Sequence, residues 1–346
     1  LELESKRDQN QILSKSVTSD EVAQIISKSS GIPVEKMLEG EKTKLLNMKN
    51  DLSKMVIGQK DAIEKISLAV QRSRAGIQDP NKPIGIFLFL GPTGVGKTEL
   101  TKALSKFIFN NNQSPFRLDM SEYMEKHSVS KLIGSPPGYV GYESGGILTE
   151  SIRRKPYQVI LLDEIEKAHH DIYNLLLQVF DDGRLTDSLG RTVNFNNTII
   201  IMTSNIGAEL MNFSEDQKSS IEVFTQEKIL EEVRKKFKPE FINRIDDIII
   251  FNRLSKEEIK KIIDLQINEL TTILKNKKIN ILLDKKALNW LADEGFSPSY
   301  GARPLKRVIQ TQIINKIATL LLSNKINEEQ TINLSTKDND LFFKIS

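Results

Sequence analysis

Between residues 84 and 251 the chain alternates short apolar runs with stretches of helical spacing. The runs are Ile84–Leu90, Phe116–Met120, Tyr157–Leu162, Thr198–Met202 and Asp247–Phe251; the spacing between them predicts helices over Thr98–Phe109, Ile147–Arg154, Ile172–Phe180 and Gln226–Phe237. Apolar, β-rich runs separated by amphipathic helices predict a mostly parallel α/β sheet with helices on both faces, because strands covered on both sides carry no polar face. Gly183–Phe195, centred on Asp187-Ser188-Leu189-Gly190, predicts a hairpin protruding from that alternation. Upstream, helical spacing from about Met37 to Arg74 is interrupted by Val56-Ile57-Gly58-Gln59, which predicts two helices around a short loop. Residues 1 to 30 are polar with sparse apolar positions and predict a helix, ended by a linker at Gly31-Ile32-Pro33-Val34. After Phe251 the pattern changes to two long helices, Ser255–Asn276 and Arg303–Asn324, around a shorter one containing Trp290, with β-like ends near Ile279–Leu283 and Thr331–Leu334. The expected organisation is a helical end and linker over 1–34, a large α/β domain over 35–252 and a small, mainly helical C-terminal domain over 253–346.

Composition narrows the classes. Of 346 residues 39% are hydrophobic and 27% charged, which excludes disordered, collagenous and membrane chains. Lys and Arg exceed Asp and Glu by only 49 to 46, so nucleic acid is not an expected partner. The absence of cysteine excludes disulfides, thiolate zinc sites and a cysteine nucleophile. His127, His169 and His170 fall in no H-E-x-x-H frame and read as solvated surface. The longest apolar run, Ile84–Leu90, is far short of the ~18 residues of a membrane span. An opening Leu-Glu-Leu-Glu without Met suggests a piece of a longer polypeptide.

The strongest chemical signal is Gly91-Pro92-Thr93-Gly94-Val95-Gly96-Lys97-Thr98, a G-x-x-x-x-G-K-[ST] pattern placed directly between a strand and a helix. Phosphate oxygens need several donors at once. Glycines let backbone N–H groups approach, the helix start adds partial positive charge, Lys97 reaches the terminal phosphates, and the Thr98 hydroxyl suits Mg²⁺. A second apolar strand ends in Asp163-Glu164, delivering two carboxylates to the sheet edge where ligands bind. The first suits Mg²⁺ held through water; the second suits orienting or deprotonating an attacking water. A third strand runs into Thr203-Ser204-Asn205, and the Asn205 amide could bond both a γ-phosphate and that water. Arg244, just before the last strand, and Arg303, opening a small-domain helix, are candidates for spreading transition-state charge. The glycine- and proline-rich segment Gly134–Gly146 carries Tyr139 and Val140; composition leaves open whether it is a packed turn or a mobile contact for another chain.

Taken together, these motifs resemble the second nucleotide-binding domain of a ClpB-type AAA+ disaggregase, a P-loop NTPase of the Clp family, over nearly the whole chain. The resemblance implies that ATP and Mg²⁺ are the cofactors, with Val56 and Ile57 on the adenine side. It makes Gly91 to Lys97 the phosphate-binding Walker A loop, Thr98 and Asp163 the Mg²⁺ side, Glu164 the activator of water, and Asn205 the first sensor. It implies that Arg244 is an arginine finger acting on a neighbouring subunit's ATP, hence a homo-oligomeric ring, in this family a hexamer. Arg303 would be a second sensor in its own subunit. Tyr139, with Val140, would grip unfolded or aggregated polypeptide in a central pore, with Lys126 and His127 on a secondary pore loop. A DnaK-type partner and a cytoplasmic setting, or an organelle matrix in a eukaryote, are implied for the full-length protein; the family assigns docking of that partner to a middle domain. Unfoldases that feed a ClpP-type protease are the alternative. They carry an aliphatic-Gly-Phe/Leu tripeptide between the first sensor and the arginine finger, where this chain has only Ile206-Gly207-Ala208. An ATP-holding subunit with little turnover and a nucleic-acid motor are rivals from other classes.

Overall fold

The computed structural model describes residues 25, 39–109, 114–135, 138, 145–211, 220–275, 278–297, 300–323, 326, 330–337 and 340–345. The expected helix and linker over residues 1 to 34 lie outside these, residue 25 apart.

Five strands form one parallel sheet: β1 (Gly85–Leu90), β2 (Phe116–Asp119), β3 (Val159–Asp163), β6 (Ile199–Ser204) and β7 (Asp247–Ile250), in the order β2-β3-β6-β1-β7. Successive side chains on a strand face opposite ways, and each central strand divides accordingly. Phe87 and Phe89 of β1, Val159 and Leu161 of β3, and Ile199 and Ile201 of β6 pack into one core. Their neighbours Ile86, Leu88, Ile160, Leu162, Ile200 and Met202 pack into the other. The first core is closed by α1 (Glu39–Met55), α2 (Lys60–Arg74) and α3 (Lys97–Phe109). The second is closed by α4 (Val129–Ile133), α5 (Ile147–Arg154), α6 (His170–Asp182), α7 (Ser220–Lys236) and α8 (Pro239–Ile242). Burying each Leu, Ile or Phe this fully stabilises the fold by roughly 1.5–3 kcal/mol. The expected hairpin is present as β4 (Arg184–Thr186) and β5 (Thr192–Asn194).

Residues 254 to 341 build a third core. It lies among α9 (Lys256–Leu274), α10 (Lys285–Gly295), α11 (Arg303–Ile309) and α12 (Asn315–Leu322), with α11 passing into α12 through a π-helical turn, Gln310–Ile314. Ser255 and Glu258 form a capping box that starts α9: the Ser255 hydroxyl accepts from Glu258 N, and Glu258 accepts from Ser255 N at 2.8 Å. This part is less exclusively helical than its sequence suggests. Strands β8 (Asn280–Leu283), β9 (Thr331–Lys337) and β10 (Asp340–Ile345) form a sheet in the order β10-β9-β8, and β10 was not foreseen. The run Leu341-Phe342-Phe343 hides the strand period, since outward Phe342 is as apolar as its inward neighbours. Among the described residues, no helix is long and apolar enough to cross a membrane.

Candidate active site

The phosphate-type loop joins β1 to α3 at the C-terminal edge of the sheet. Gly94 and Gly96 hold φ of +80° and +106°, conformations that L side chains rarely adopt. A Cβ on Gly96 would meet nothing within 4 Å, whereas one on Gly94 would lie 2.0 Å from the Tyr300 carbonyl oxygen. The loop is therefore open beside Gly96 and covered at Gly94 by the start of the C-terminal part, where Ala302 N donates to Gly94 O at 3.3 Å.

Lys97 is the hub. Its Nζ donates to Gly91 O, to Pro92 O at 3.3 Å, to Ser204 O at 3.2 Å and to Asn205 Oδ1 at 3.0 Å. Loss of water around the ammonium lowers its pKa to about 8, against the opposing pull of Glu166, Asp163 and Glu164. Thr98 stands one position on, in the first turn of α3.

At the end of β3, Asp163 accepts from the Thr203 hydroxyl through one oxygen and pairs with Arg117 Nη2 at 2.7 Å through the other. Glu164 adopts φ 56° and ψ 48°, the left-handed region, which costs a non-glycine residue of order 1–3 kcal/mol. Two contacts hold it there: its N–H donates to Thr203 Oγ1 at 3.2 Å, and Lys167 Nζ meets Oε2 at 2.5 Å. That twist redirects the chain so that Glu166 Oε1 accepts from Asn205 N at 3.2 Å. Tyr173 steadies the same turn by donating its hydroxyl to Ile165 O at 2.7 Å, and burial, then the nearby Glu166 charge, push its pKa up.

The loop at Val56 and Ile57 reaches the site through the next residues. Val56 is buried, and the Gln59 amide donates to Val95 O at 3.1 Å and Asn252 O at 2.9 Å while accepting from Asn252 N. Gln59 thus ties this loop to the phosphate loop and to the connection into the C-terminal part. Arg303 opens α11 beside Gly94, with an exposed side chain. Lys97, Thr98, Asp163, Glu164, Asn205, Arg303 and the 56–59 loop are accordingly assembled around one edge.

Arg244 is not. It lines a cavity of about 90 Å³ with Lys82, Pro83 and Ile86, at the beginning of β1 and so the opposite end of the sheet, and its Nε donates to Asp181. Lys126 and His127 are exposed on a 3-10 turn, where His127 Nε2 lies 3.2 Å from Glu125 Oε2. Tyr139 and Val140 lie outside the described residues. Arg117, Thr203, Glu166 and Gln59 complete the site without having been singled out from sequence. Gln59 and Thr203 stand inside motifs read from the sequence, and Arg117 shows, with Asp119, as a charge in an otherwise strand-like run.

The donor set suits the implied groups. Hydroxyl and carboxylate oxygens from Thr98 and Asp163 are what a hard divalent cation such as Mg²⁺ takes. The open glycine loop at the start of α3, with a buried ammonium, is a cradle for phosphate.

A phosphate loop after β1, acids at the end of β3 and the polar end of β6 between them, covered by a helical C-terminal part, define an AAA+ ATPase. Family models agree: residues 82–248 match an AAA domain described as of the Cdc48 subfamily, and residues 254–334 match the C-terminal, D2-small domain of ClpB protein. The chain is 55% identical over 329 residues to chaperone protein ClpB of Agrobacterium fabrum, covering 95% of this chain and 37% of that protein. To chaperone protein ClpB of Rickettsia conorii it is 52% identical, covering 96% of this chain and 39% of that protein. A closed-state cryo-EM reconstruction of Hsp104 with ATPγS and FITC-casein superposes with a TM-score of 0.81 at 43% identity, over 95% of this chain and 56% of that one. The chain belongs to the ClpB-type family of AAA+ chaperones. It spans less than two fifths of the length of these ClpB relatives. They do not favour the unfoldase of a ClpP-type protease.

Proposed function

We propose that this chain hydrolyses ATP as one subunit of a ring, a hexamer in its full-length form, and uses the cycle to draw unfolded or aggregated polypeptide through a central pore. The observation that carries the reading is the convergence on Lys97: four acceptors from the phosphate loop and the β6 end surround one ammonium, with Asp163 and Glu164 at the neighbouring strand end. Lys97 and the loop N–H groups hold the β- and γ-phosphates; Val56, Ile57 and the Gln59-tied loop face the adenine side. Thr98 and Asp163 would hold Mg²⁺, which supplies neutralisation of phosphate charge when bound. Glu164 orients the attacking water and draws its proton as the new O–P bond forms and the bond to the bridging oxygen breaks, leaving ADP and phosphate. Asn205 fixes the γ-phosphate and that water together. Arg303 adds charge in the same subunit. Arg244, at the far end of its own sheet, supports a role in the neighbour's site. Tyr139 and Val140, with Lys126 and His127 nearby in sequence, take the polypeptide. Work with a DnaK-type chaperone and a cytoplasmic setting belong to the same proposal for the full-length protein.

The test is ATP turnover with and without unfolded casein. Stimulation by casein, abolished in Glu164→Gln, supports the reading. Unchanged turnover in Glu164→Gln would make the chain a nucleotide-holding module instead.

A further inference from the structure

The reading above leaves the β4–β5 hairpin without a task, yet its turn is among the most tightly bonded features of the surface. Asp187, with a side chain only 1% exposed, accepts from Leu189 N at 2.9 Å, Arg191 N at 2.8 Å and Arg191 Nε at 2.8 Å. A buried carboxylate so satisfied fixes the guanidinium in place, so less side-chain freedom is lost when that fork bonds a second partner.

That second partner lies in the first turns of α5, the helix that follows the loop carrying Tyr139. Arg191 Nη2 meets Glu150 Oε1 at 2.9 Å, just after the loop, and Ser188 N donates to Ile133 O at 2.9 Å, just before it. The two sides of the loop's neck also touch each other. A Cβ on Gly134 would lie 2.2 Å from Ser188 Oγ and 3.3 Å from the carbonyl carbon of Gly145, and one on Gly146 would lie 2.1 Å from Leu132 O. Both ends of the loop and the hairpin turn are thus packed into one knot.

The root of the hairpin leads back to the ATP site. Chain order runs from Asp163 through α6 into β4, and from β5 through Phe195 and Thr198 into β6, which is followed directly by Asn205. The root is rigid: Phe195 N donates to Gly183 O at 2.7 Å, and a Cβ on Gly183 would lie 1.8 Å from Asn81 O. The hairpin is thus the covalent connection that joins the acids and the sensor amide to the packed neck of the Tyr139 loop.

We propose that Arg191 is a positioning residue for polypeptide grip: held by Asp187 and bonded to Glu150, it fixes the neck of the loop bearing Tyr139 to the segment that links the two acidic and amide strand ends of the ATP site. The proposal rests on the reading of Tyr139 as the polypeptide contact.

The experiment uses the full-length protein and fluorescein-labelled casein, reading ATP turnover against casein concentration and casein binding by anisotropy in ATPγS. Arg191→Ala, Glu150→Gln and the double variant are expected to keep basal turnover within about twofold of wild type while raising the casein concentration for half-maximal stimulation about fivefold. The double variant is no worse than Glu150→Gln alone, because that change already weakens the Arg191 link together with the Glu150 pairs to Arg153 and Arg154. Arg191→Lys, which keeps the charge, restores part of the loss. Glu150→Gln leaves the Asp187 knot intact and decides the matter if Arg191→Ala fails to fold. Tyr139→Ala, measured alongside, tests the underlying reading through its own loss of casein binding. If Tyr139→Ala loses casein and the Arg191 and Glu150 variants do not, or if basal turnover falls as much as casein response, the proposal is overturned and the loop reading stands. If Tyr139→Ala binds casein like wild type, the loop reading fails and takes the proposal with it.

Discussion

Replacing Gly94 by Ala probes the contact on which in-subunit assembly of the site depends. The new methyl group would sit 2.0 Å from the Tyr300 carbonyl oxygen, 3.0 Å from its carbon and 3.1 Å from Arg303 N. These are backbone atoms, which cannot rotate aside as a side-chain tip can. Reaching an ordinary 3.4 Å separation requires the start of α11 to retreat by about 1.4 Å. Arg303 retreats with it, and a displacement of about 1 Å at a positioned group costs on the order of 10²-fold in rate. A left-handed alanine adds about 1–2 kcal/mol of strain whatever the space. Gly76→Ala isolates that strain, since Gly76 holds φ +72° with nothing within 4 Å. Thermal or denaturant unfolding of both variants, with steady-state ATP turnover, separates the two effects. Gly76→Ala should lose about 1–2 kcal/mol of stability, and Gly94→Ala at least as much again through its backbone clash. Only Gly94→Ala should lose turnover, by about 10²-fold. Equal turnover in the two would refute the idea that the phosphate loop seats Arg303 through Gly94.

The remaining predictions concern charge. Lys97 holds a pKa of about 8 in the fold against 10.5 when free, so burying its ammonium costs at most about 3 kcal/mol. Below about pH 8 both folded and unfolded chains carry the proton and the cost is fully present. Between about 8 and 10.5 the unfolded chain holds more protons, so nucleotide-free stability attributable to Lys97 rises with pH. The stability of wild type should therefore rise between about pH 8 and pH 10.5 relative to Lys97→Met, whatever the constant offset between them, as denaturant titrations at several pH values would show. ATP binding needs the charged form, so titration calorimetry near pH 8.5 in buffers of different ionisation enthalpy should report proton uptake. Glu164→Gln should lower turnover by about 10²–10⁴-fold while leaving the affinity for a fluorescent ATP analogue within a few-fold. Tyr173→Phe removes one of two donors to the Ile165 carbonyl and leaves the Ala168 N–H on it, so it should cost about 0.5–1.5 kcal/mol of stability by denaturant unfolding.

What could be read from the sequence follows from how local each feature is. The phosphate loop declares itself because its donors lie on consecutive residues. The acids and the amide are visible because each ends an apolar run. Arg117 reaches Asp163 only through the pairing of β2 with β3, where Leu118 stands opposite Leu162, and that register is a long-range fact. Glu166 meets Asn205 only because Glu164 turns left-handed, for which a glutamate offers no cue. Gln59 bonds Asn252, 193 residues away. Arg244 was visible as a cation near the last strand; only the three-dimensional sheet separates it from its own phosphate loop.

That separation leads to the most direct test of the account. ATP turnover per subunit is measured across a wide range of protein concentration for the wild-type chain, for Arg244→Ala, and for mixtures of Arg244→Ala with Glu164→Gln. The account predicts that wild-type activity per subunit rises with concentration, that Arg244→Ala stays flat and low, and that mixing the two inactive variants restores part of the turnover, because a Glu164→Gln subunit supplies the arginine that a neighbouring Arg244→Ala subunit's intact Glu164 site lacks. Constant activity per subunit, unchanged by Arg244→Ala and with no recovery on mixing, would contradict a site shared between neighbours.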